Sequence, residues 1–233
     1  MGMLLQSLLV SRDAQVIGVL RPTLEKLSIE MEVCRGAKSG NEILLSEKFD
    51  GVIVDCDDLQ GGLEVLQNLR SGTSNKNSVA FAILNGTTTT QRAFELGANF
   101  VLQKPISPLN AMRCFSAAVG FMARERRRYF RQPVGFAVTA TFGKNQEVNA
   151  TASNLSEGGM ALCFTGKLPR AGLTKVVFTL PERQVVIEPK AVIAWADGAG
   201  RAGIRFTDMP SSSRQELEAW LAEQLEQADR LQK

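Results

Sequence analysis

The sequence predicts two folds in one chain: an α/β domain with a doubly wound, five-stranded parallel sheet, then an all-β domain, a small antiparallel β-barrel with a C-terminal helix. Three observations carry this. Up to about residue 120, strand-sized apolar runs alternate with segments at helical spacing, the pattern of crossover connections and a parallel sheet covered on both faces. From Val134 onward apolar and polar residues alternate between clusters of Gly, Pro, Asn and Lys. That period of two at hairpin spacing indicates an antiparallel sheet closed or nearly closed on itself. Between the halves stands RERRRYFR, residues 124–131, with five arginines in eight positions. The expected domains are therefore residues 1–120, an arginine-rich arm at 121–132, a barrel at 133–208 and a terminal helix at 209–233.

Taken in order, the strands of the first domain are LLQSLLV at 4–10, MEVC at 31–34, GVIVDC at 51–56, VAFAIL at 79–84 and NFVLQ at 99–103. The helices are Ala14 to Leu27, Asn41 to Glu47, Gly62 to Arg70, Thr88 to Leu96 and Pro108 to about Arg124. Pro22 should kink the first helix or shorten its start. The barrel strands are FAVTATF, EVNATAS, GMALCF, TKVVFTL, QVVIEPKAVIAW and AGIRF, with Pro189 marking an edge or a bulge. Trp195 reads as a core residue. A capping serine opens residues 211–233, where Leu217, Trp220, Leu221, Leu225 and Leu231 recur at helical spacing. This helix either packs across the barrel or pairs with a second chain.

Composition bounds the function. A net charge of +3 is too mild for a whole-molecule polyanion binder, so any basic function comes from local clustering. With no histidine, Ser-His and Cys-His nucleophilic chemistry and the commonest zinc sites are unavailable; no catalytic constellation or metal set stands out, and the chain reads as a binding protein, not an enzyme. Cys34, Cys56, Cys114 and Cys163 are irregularly spaced, which fits reduced, buried thiols. MGMLLQSLLV has neither a cationic leader nor a small-residue cleavage site, and no run is long enough to span a bilayer. The expected location is the cytoplasm.

An aspartate closing the third strand, Asp55, and Lys104-Pro105 after the fifth give residues 1 to about 120 a pattern that resembles the receiver domain of two-component response regulators. The resemblance implies a phosphoacceptor at Asp55 and a conserved-role lysine at Lys104. In that family an acidic pair after the first strand holds magnesium and a Ser or Thr ends the fourth strand. Here Ser11-Arg12-Asp13 and Asn85-Gly86 stand at those places. Phosphoryl transfer to a carboxylate needs a divalent cation anchored by carboxylates, so the departures favour a degenerate receiver that survives as a docking or dimerising surface. A phosphorylatable regulator acting through Asp55 is the alternative.

A second resemblance is carried by the seam. Arg127 and Arg131, then Asn154-Leu155-Ser156-Glu157-Gly158-Gly159 on a hairpin, then Trp195 and Gly203-Ile204-Arg205-Phe206, resemble a PilZ domain over residues 124 to about 208. That family binds cyclic di-GMP through an RxxxR arm and a [DN]xSxxG turn. The resemblance implies a ligand site of Arg127, Arg131, Asn154, Ser156 and Gly159, with Arg128 beside them, and no cofactor beyond the ligand. The chemistry agrees. An arginine fork meets a phosphate bidentately, reaches guanine O6 and N7, and stacks on a purine. Asn154 can pair with a guanine edge, the Ser156 hydroxyl can donate or accept, and Gly159 permits positive φ or close ligand approach.

Plainer readings stand beside these. Arg124, Arg126 and Arg128 serve equally as solvated or phosphate-steering charges; Tyr129 and Phe130 as packing residues tying the arm to the preceding helix; Asn154 and Ser156 as turn formers; Glu64 and Glu95 as surface acids. The free arm is expected to be mobile, and ligand to fold it onto the barrel and change the angle between domains, and so the choice of protein partner. The other readings are an interaction adaptor of PilZ fold without ligand, a homodimer through the receiver-like domain or the terminal helix, and, most distant, nucleic-acid binding through the arginine run.

Overall fold

The computed structural model describes residues 4–231, the side chain of Leu231 excepted; Met1–Met3 of the N-terminal run, Leu231 of the terminal stripe and the two residues after it lie outside what is described. The chain divides into two compact units, residues 1–126 and 127–233.

In the first unit, β1 (Leu5–Val10), α1 (Ala14–Lys26), β2 (Ile29–Cys34), α2 (Ala37–Ser46), β3 (Gly51–Asp55), α3 (Gly62–Ser71), β4 (Val79–Leu84), α4 (Thr90–Glu95), β5 (Phe100–Gln103) and α5 (Pro108–Tyr129) follow one another. The five strands are parallel in the order β2-β1-β3-β4-β5, a doubly wound sheet. Every residue of β3 and β4 is buried, as expected of central strands covered on both faces. Alternate residues divide between two cores. Leu5, Leu9, Ile53, Phe81 and Ile83 meet Val16, Leu20 and Leu24 of α1 and Phe115 and Met122 of α5; Leu8, Val10, Val52, Val54, Ala82 and Leu84 meet Leu44, Val65, Leu66 and Leu69.

Two helices, α2 and α5, depart from the sequence reading by a full turn or more. Helix α1 starts at Ala14 as expected and runs through Pro22 to Lys26; Asp13 caps its start, Oδ1 accepting from the amides of Gln15 and Val16. Helix α2 begins at Ala37, not Asn41. Its first turn holds no large apolar residue, and Gly40 is buried there so that the helix can approach the Val10 side chain. Helix α5 runs on to Tyr129, five residues past the Arg124 expected, so most of the presumed arm is helical. Its buried face continues Ala111, Phe115, Ala118, Met122 and then Glu125, and the apolar signal ends only because an acid takes the last core position. Lys48 Nζ donates to Glu125 Oε1 at 3.0 Å and Ser78 Oγ at 2.9 Å, which satisfies the buried carboxylate.

Next to it, Asp50 accepts from the Gln6 amide at 2.8 Å and lies 3.6 Å from Arg126 Nη1. Burial outweighs these partners and pushes its carboxyl up to about 6 from 3.8. The folded chain thus holds this proton more tightly than the unfolded chain. Stability is lost as pH rises from about 4 to about 6, by about 3 kcal/mol from this group, and stays lost at neutral pH. Asp50→Asn keeps an acceptor for Gln6. It is expected to raise stability at pH 7.5 by about 1–3 kcal/mol and to flatten the pH dependence between 4 and 6 in urea unfolding followed by circular dichroism. A less stable variant at pH 7.5 would mean that the Arg126 pair outweighs burial.

The second unit holds β6 (Gln132–Phe142), β7 (Gln146–Ser156), β8 (Gly159–Phe164), β9 (Leu173–Thr179), β10 (Val186–Ile187), β11 (Lys190–Ala196), β12 (Arg201–Asp208) and α6 (Ser211–Leu231). The sheet order β10-β9-β11-β12-β8-β7-β6 is closed by pairing of β6 with β9, so six antiparallel strands form a barrel and β10 is a short addition to β9. Closure removes the exposed edges that an open sheet of this length would present. Pro189 separates β10 from β11, its carbonyl accepting from Val176 at 3.1 Å. The interior is filled by Val138, Phe142, Leu155, Leu162, Val176, Phe178 and Ile204, and α6 adds Leu217, Trp220 and Leu221 to the same core. The terminal helix therefore packs on its own barrel with the stripe the sequence marks. Phe130 also packs against this core, while Tyr129 is 36% exposed.

Of the cysteines, Cys34 and Cys56 are buried, Cys114 is half-buried and Cys163 is exposed, so the expectation of four buried thiols holds for two. Glu64 and Glu95 are exposed. Among the described residues no helix is long and apolar enough to cross a membrane.

Candidate ligand site

Strands β7 and β8 meet through a two-residue turn, Glu157-Gly158, with Ser156 opposite Gly159, Leu155 opposite Met160 and Asn154 opposite Ala161. On the other side of β8 runs β12, which places Arg205 opposite Gly159 and Gly203 opposite Ala161, and β11 places Trp195 opposite Gly203. The last turn of α5 supplies Arg128, and the residue before β6 supplies Arg131. A cavity of about 450 Å³ results, lined by Arg128, Arg131, Asn154, Trp195, Gly203 and Arg205 among others.

The six site residues expected from sequence do not behave alike. Arg131 lines the cavity and its Nη1 donates to the carbonyls of Arg128 and Phe130, both at 3.3 Å. Burial pulls its guanidinium below the usual range, a cost that a bound anion would relieve. Arg128, read from sequence chiefly as a steering charge, lines the same cavity. Arg127 is not on that lining; its Nε lies 3.7 Å from Glu157 Oε1. The reason is helical geometry. Positions four apart share a face only while the helix continues, and α5 ends at Tyr129, so Arg131 leaves the Arg127 face and comes to the side of Arg128.

Asn154 lines the cavity half-buried, and its carboxamide makes no hydrogen bond among the described residues. Ser156 is 1% exposed and donates to the Gly159 carbonyl at 2.9 Å, so its hydroxyl stabilises the hairpin. The Gly159 backbone is not in the left-handed region. A Cβ there would overlap the carbonyl oxygen of Ile204 on β12, so this glycine admits the neighbouring strand and needs no positive φ; with Ser156 it also lines the cavity.

Two lining residues with a charged or aromatic side chain were not assigned a ligand role by the sequence. Arg205 was noted only as part of a strand, yet it adds a third guanidinium. Trp195, expected in the core, is 51% exposed. A bulge between Ile193 and Trp195 interrupts the β11–β12 register and turns this side chain outward, as bulges re-aim side chains. Strict alternation through AVIAWA puts tryptophan inside; one extra residue in the strand reverses it.

The first unit presents a separate polar cluster at the C-terminal ends of its strands. Asp55 is 1% exposed, with Oδ2 accepting from Ser11 Oγ at 2.7 Å and from Lys104 Nζ at 3.0 Å. The same ammonium reaches Asp13 Oδ2 at 2.9 Å and Asp58 Oδ2 at 2.6 Å. Burial opposes the charge on Lys104, but its bonds to Asp58, Asp13 and Asp55 outweigh that and raise its affinity for the proton. These residues do not fit the magnesium that receivers use. Ser11 and Arg12 hold the places of the acidic pair, Arg12 Nε donates to the Arg35 carbonyl at 2.7 Å, and the carboxylates that lie within 4.8 Å of one another, Asp13, Asp55 and Asp58, already share a resident ammonium. Asn85, in the place of the hydroxyl residue, donates to Asp58 Oδ1 at 2.6 Å.

Residues 125–223 match the family model described as "PilZ domain". The chain carries a PilZ domain. The matched span begins in the last turns of α5, covers the whole barrel and ends within α6, so the arginines at 127, 128 and 131, the β7–β8 hairpin and the β11–β12 pair all fall inside it. The PilZ barrel is joined to a receiver-like unit. Solved structures similar to that unit include the receiver domain of a sensor histidine kinase from Pseudomonas aeruginosa, at 18% identity over 50% of this chain and 98% of that one with TM-score 0.44. A CheY-like receiver domain protein from Methanospirillum hungatei is similar at 19% identity over 52% and 98%, with TM-score 0.45. The receiver domain of a modulated diguanylate cyclase from Desulfovibrio desulfuricans is similar at 23% identity over 52% and 98%, with TM-score 0.44. No curated protein matches the chain.

Proposed function

We propose that the PilZ domain binds cyclic di-GMP in the arginine-lined cavity, and that the protein passes occupancy on, as a rearrangement between its two units, to a protein partner in the cytoplasm. The observation that carries the reading is the convergence of Arg128, Arg131 and Arg205 with the Asn154 carboxamide and the Trp195 indole on one cavity. Three guanidiniums suit two phosphates and the guanine acceptors O6 and N7, and an aromatic face suits a purine.

Within this reading Arg128, Arg131 and Asn154 touch the ligand. Arg127 steers it from its pairing with Glu157, and Ser156 and Gly159 hold the hairpin in shape. Calorimetric titration of the full chain with cyclic di-GMP tests the proposal. Saturable binding with a Kd of micromolar or below is expected, and no heat at these concentrations would leave the adaptor role without ligand as the better account.

Asp55 takes no part in this function. Asp55 Oδ2 is held by Ser11 and Lys104 and Ser11-Arg12 stands in place of the acidic pair that would anchor magnesium, so incubation with acetyl phosphate and magnesium is expected to add no phosphoryl mass to the intact protein. A gain of one phosphoryl group that is lost in Asp55→Asn would restore the response-regulator reading.

A further inference from the structure

Trp195 is unusual in being half exposed while lying flat on backbone. Its β12 partner is Gly203, and a Cβ at Gly203 would overlap Nε1, Cε2 and Cδ1 of the indole. The ring therefore occupies the space that any other residue at 203 would fill. The bulge between Ile193 and Trp195 brings the indole to that seat, and the cavity wall it forms is shared with Arg128, Arg131, Asn154 and Arg205. The other tryptophan, Trp220, is 3% exposed in the barrel core, so exposure is particular to Trp195. An indole fixed on one face and open on the other, among guanidiniums, offers a π surface that a bare phosphate cannot use and a nucleobase can.

We propose that Gly203 is a positioning residue which seats the Trp195 indole as a stacking platform, so that the cavity selects a base-bearing cyclic dinucleotide over base-free phosphate anions. This rests on the cyclic di-GMP reading and adds to it the source of selectivity. The arginines supply attraction for any phosphate; the seated indole supplies the discrimination.

The test compares the full chain with Trp195→Ala, Gly203→Ala and the double variant, by calorimetry with cyclic di-GMP and with inorganic pyrophosphate as the base-free probe. Trp195→Ala is expected to weaken cyclic di-GMP binding about tenfold, the worth of one stacked base, and to leave pyrophosphate binding within about twofold. The atoms that a Cβ at 203 would meet belong to a side chain that can swing away. Gly203→Ala is therefore expected to fold, to lose cyclic di-GMP affinity by a similar factor, and to make Trp195 emission more open to acrylamide quenching without ligand. The double variant should be no weaker than the weaker single one.

Wild-type affinity in Gly203→Ala, additive losses in the double variant, or equal losses for both probes would overturn the proposal while the binding function stood. Absence of cyclic di-GMP binding by the unmodified chain would overturn both. Should Gly203→Ala lose the native circular dichroism spectrum, the contrast between the two probes in Trp195→Ala decides alone.

Discussion

Arg131→Ala is expected to weaken cyclic di-GMP binding at least thirtyfold, about 2 kcal/mol, with Arg128→Ala close behind and Arg127→Ala costing about threefold or less. The ranking follows from position. Arg131 is held at the cavity by its own bonds to the Arg128 and Phe130 carbonyls, so little order must be created when a phosphate arrives. Arg128 lies on the same wall. Arg127 already spends its charge on Glu157, and removing it takes away long-range attraction more than contact. Arg131→Lys keeps the charge but not the fork, and a loss of about tenfold is expected. Calorimetry at two salt concentrations separates the roles, because a steering charge changes the salt slope and a bidentate contact changes the affinity at every salt. If Arg127→Ala costs more than Arg128→Ala, the helical register assigned to the two arginines is reversed.

The same arginines mark how far the sequence could be read. Five parallel strands were legible because each central one is an unbroken apolar run, GVIVD and VAFAIL above all, and runs of that length have few other uses in a soluble chain. The barrel was legible because its strands alternate. What escaped were places where a polar residue or a glycine does a core residue's work. Glu125 ends the hydrophobic stripe of α5 while the helix continues, since Lys48, 77 residues earlier, supplies its partner from a distant part of the chain. Gly40 adds no apolar signal to the first turn of α2, yet the helix needs it to approach Val10. Neither partner is near in sequence, so no local window contains the reason.

The site was legible as a motif and less so as geometry. RxxxR with [DN]xSxxG picked out the hairpin and the end of the helix that line the cavity. It did not say which arginine faces the cavity, because that depends on where α5 stops, two residues before Arg131. Arg205 was hidden in an ordinary strand pattern. Trp195 was misplaced for a physical cause: a single bulge flips the faces of every later residue in a strand, and AVIAWA contains no glycine or proline to announce one. Motif residues Ser156 and Gly159 line the cavity and also meet protein, the hydroxyl on the Gly159 carbonyl and the glycine against β12, so the hairpin requires them whether or not a ligand does.

Gly159→Ala follows from that last point and is expected to destabilise the barrel by about 3–5 kcal/mol, among the larger effects a single methyl can have. The added Cβ meets the Ile204 carbonyl oxygen, a backbone atom of the adjacent strand that cannot rotate away. Moving β12 aside would strain its pairing with β8, from Arg205 opposite Gly159 to Arg201 opposite Cys163, and the bond from the Phe206 amide to the Gly158 carbonyl at 2.9 Å. It would also displace Arg205, so ligand affinity should fall with stability. Gly158→Ala is the control, since nothing lies within 4 Å of a Cβ there; a change within about 0.5 kcal/mol is expected. Both tryptophans belong to the second unit, so urea unfolding followed by tryptophan emission reports on the barrel without contribution from the receiver-like unit. A midpoint for Gly159→Ala equal to that of Gly158→Ala would show that β12 yields freely. The glycine of the motif would then have to be explained by the ligand, and binding, not stability, would be the property that Gly159→Ala abolishes.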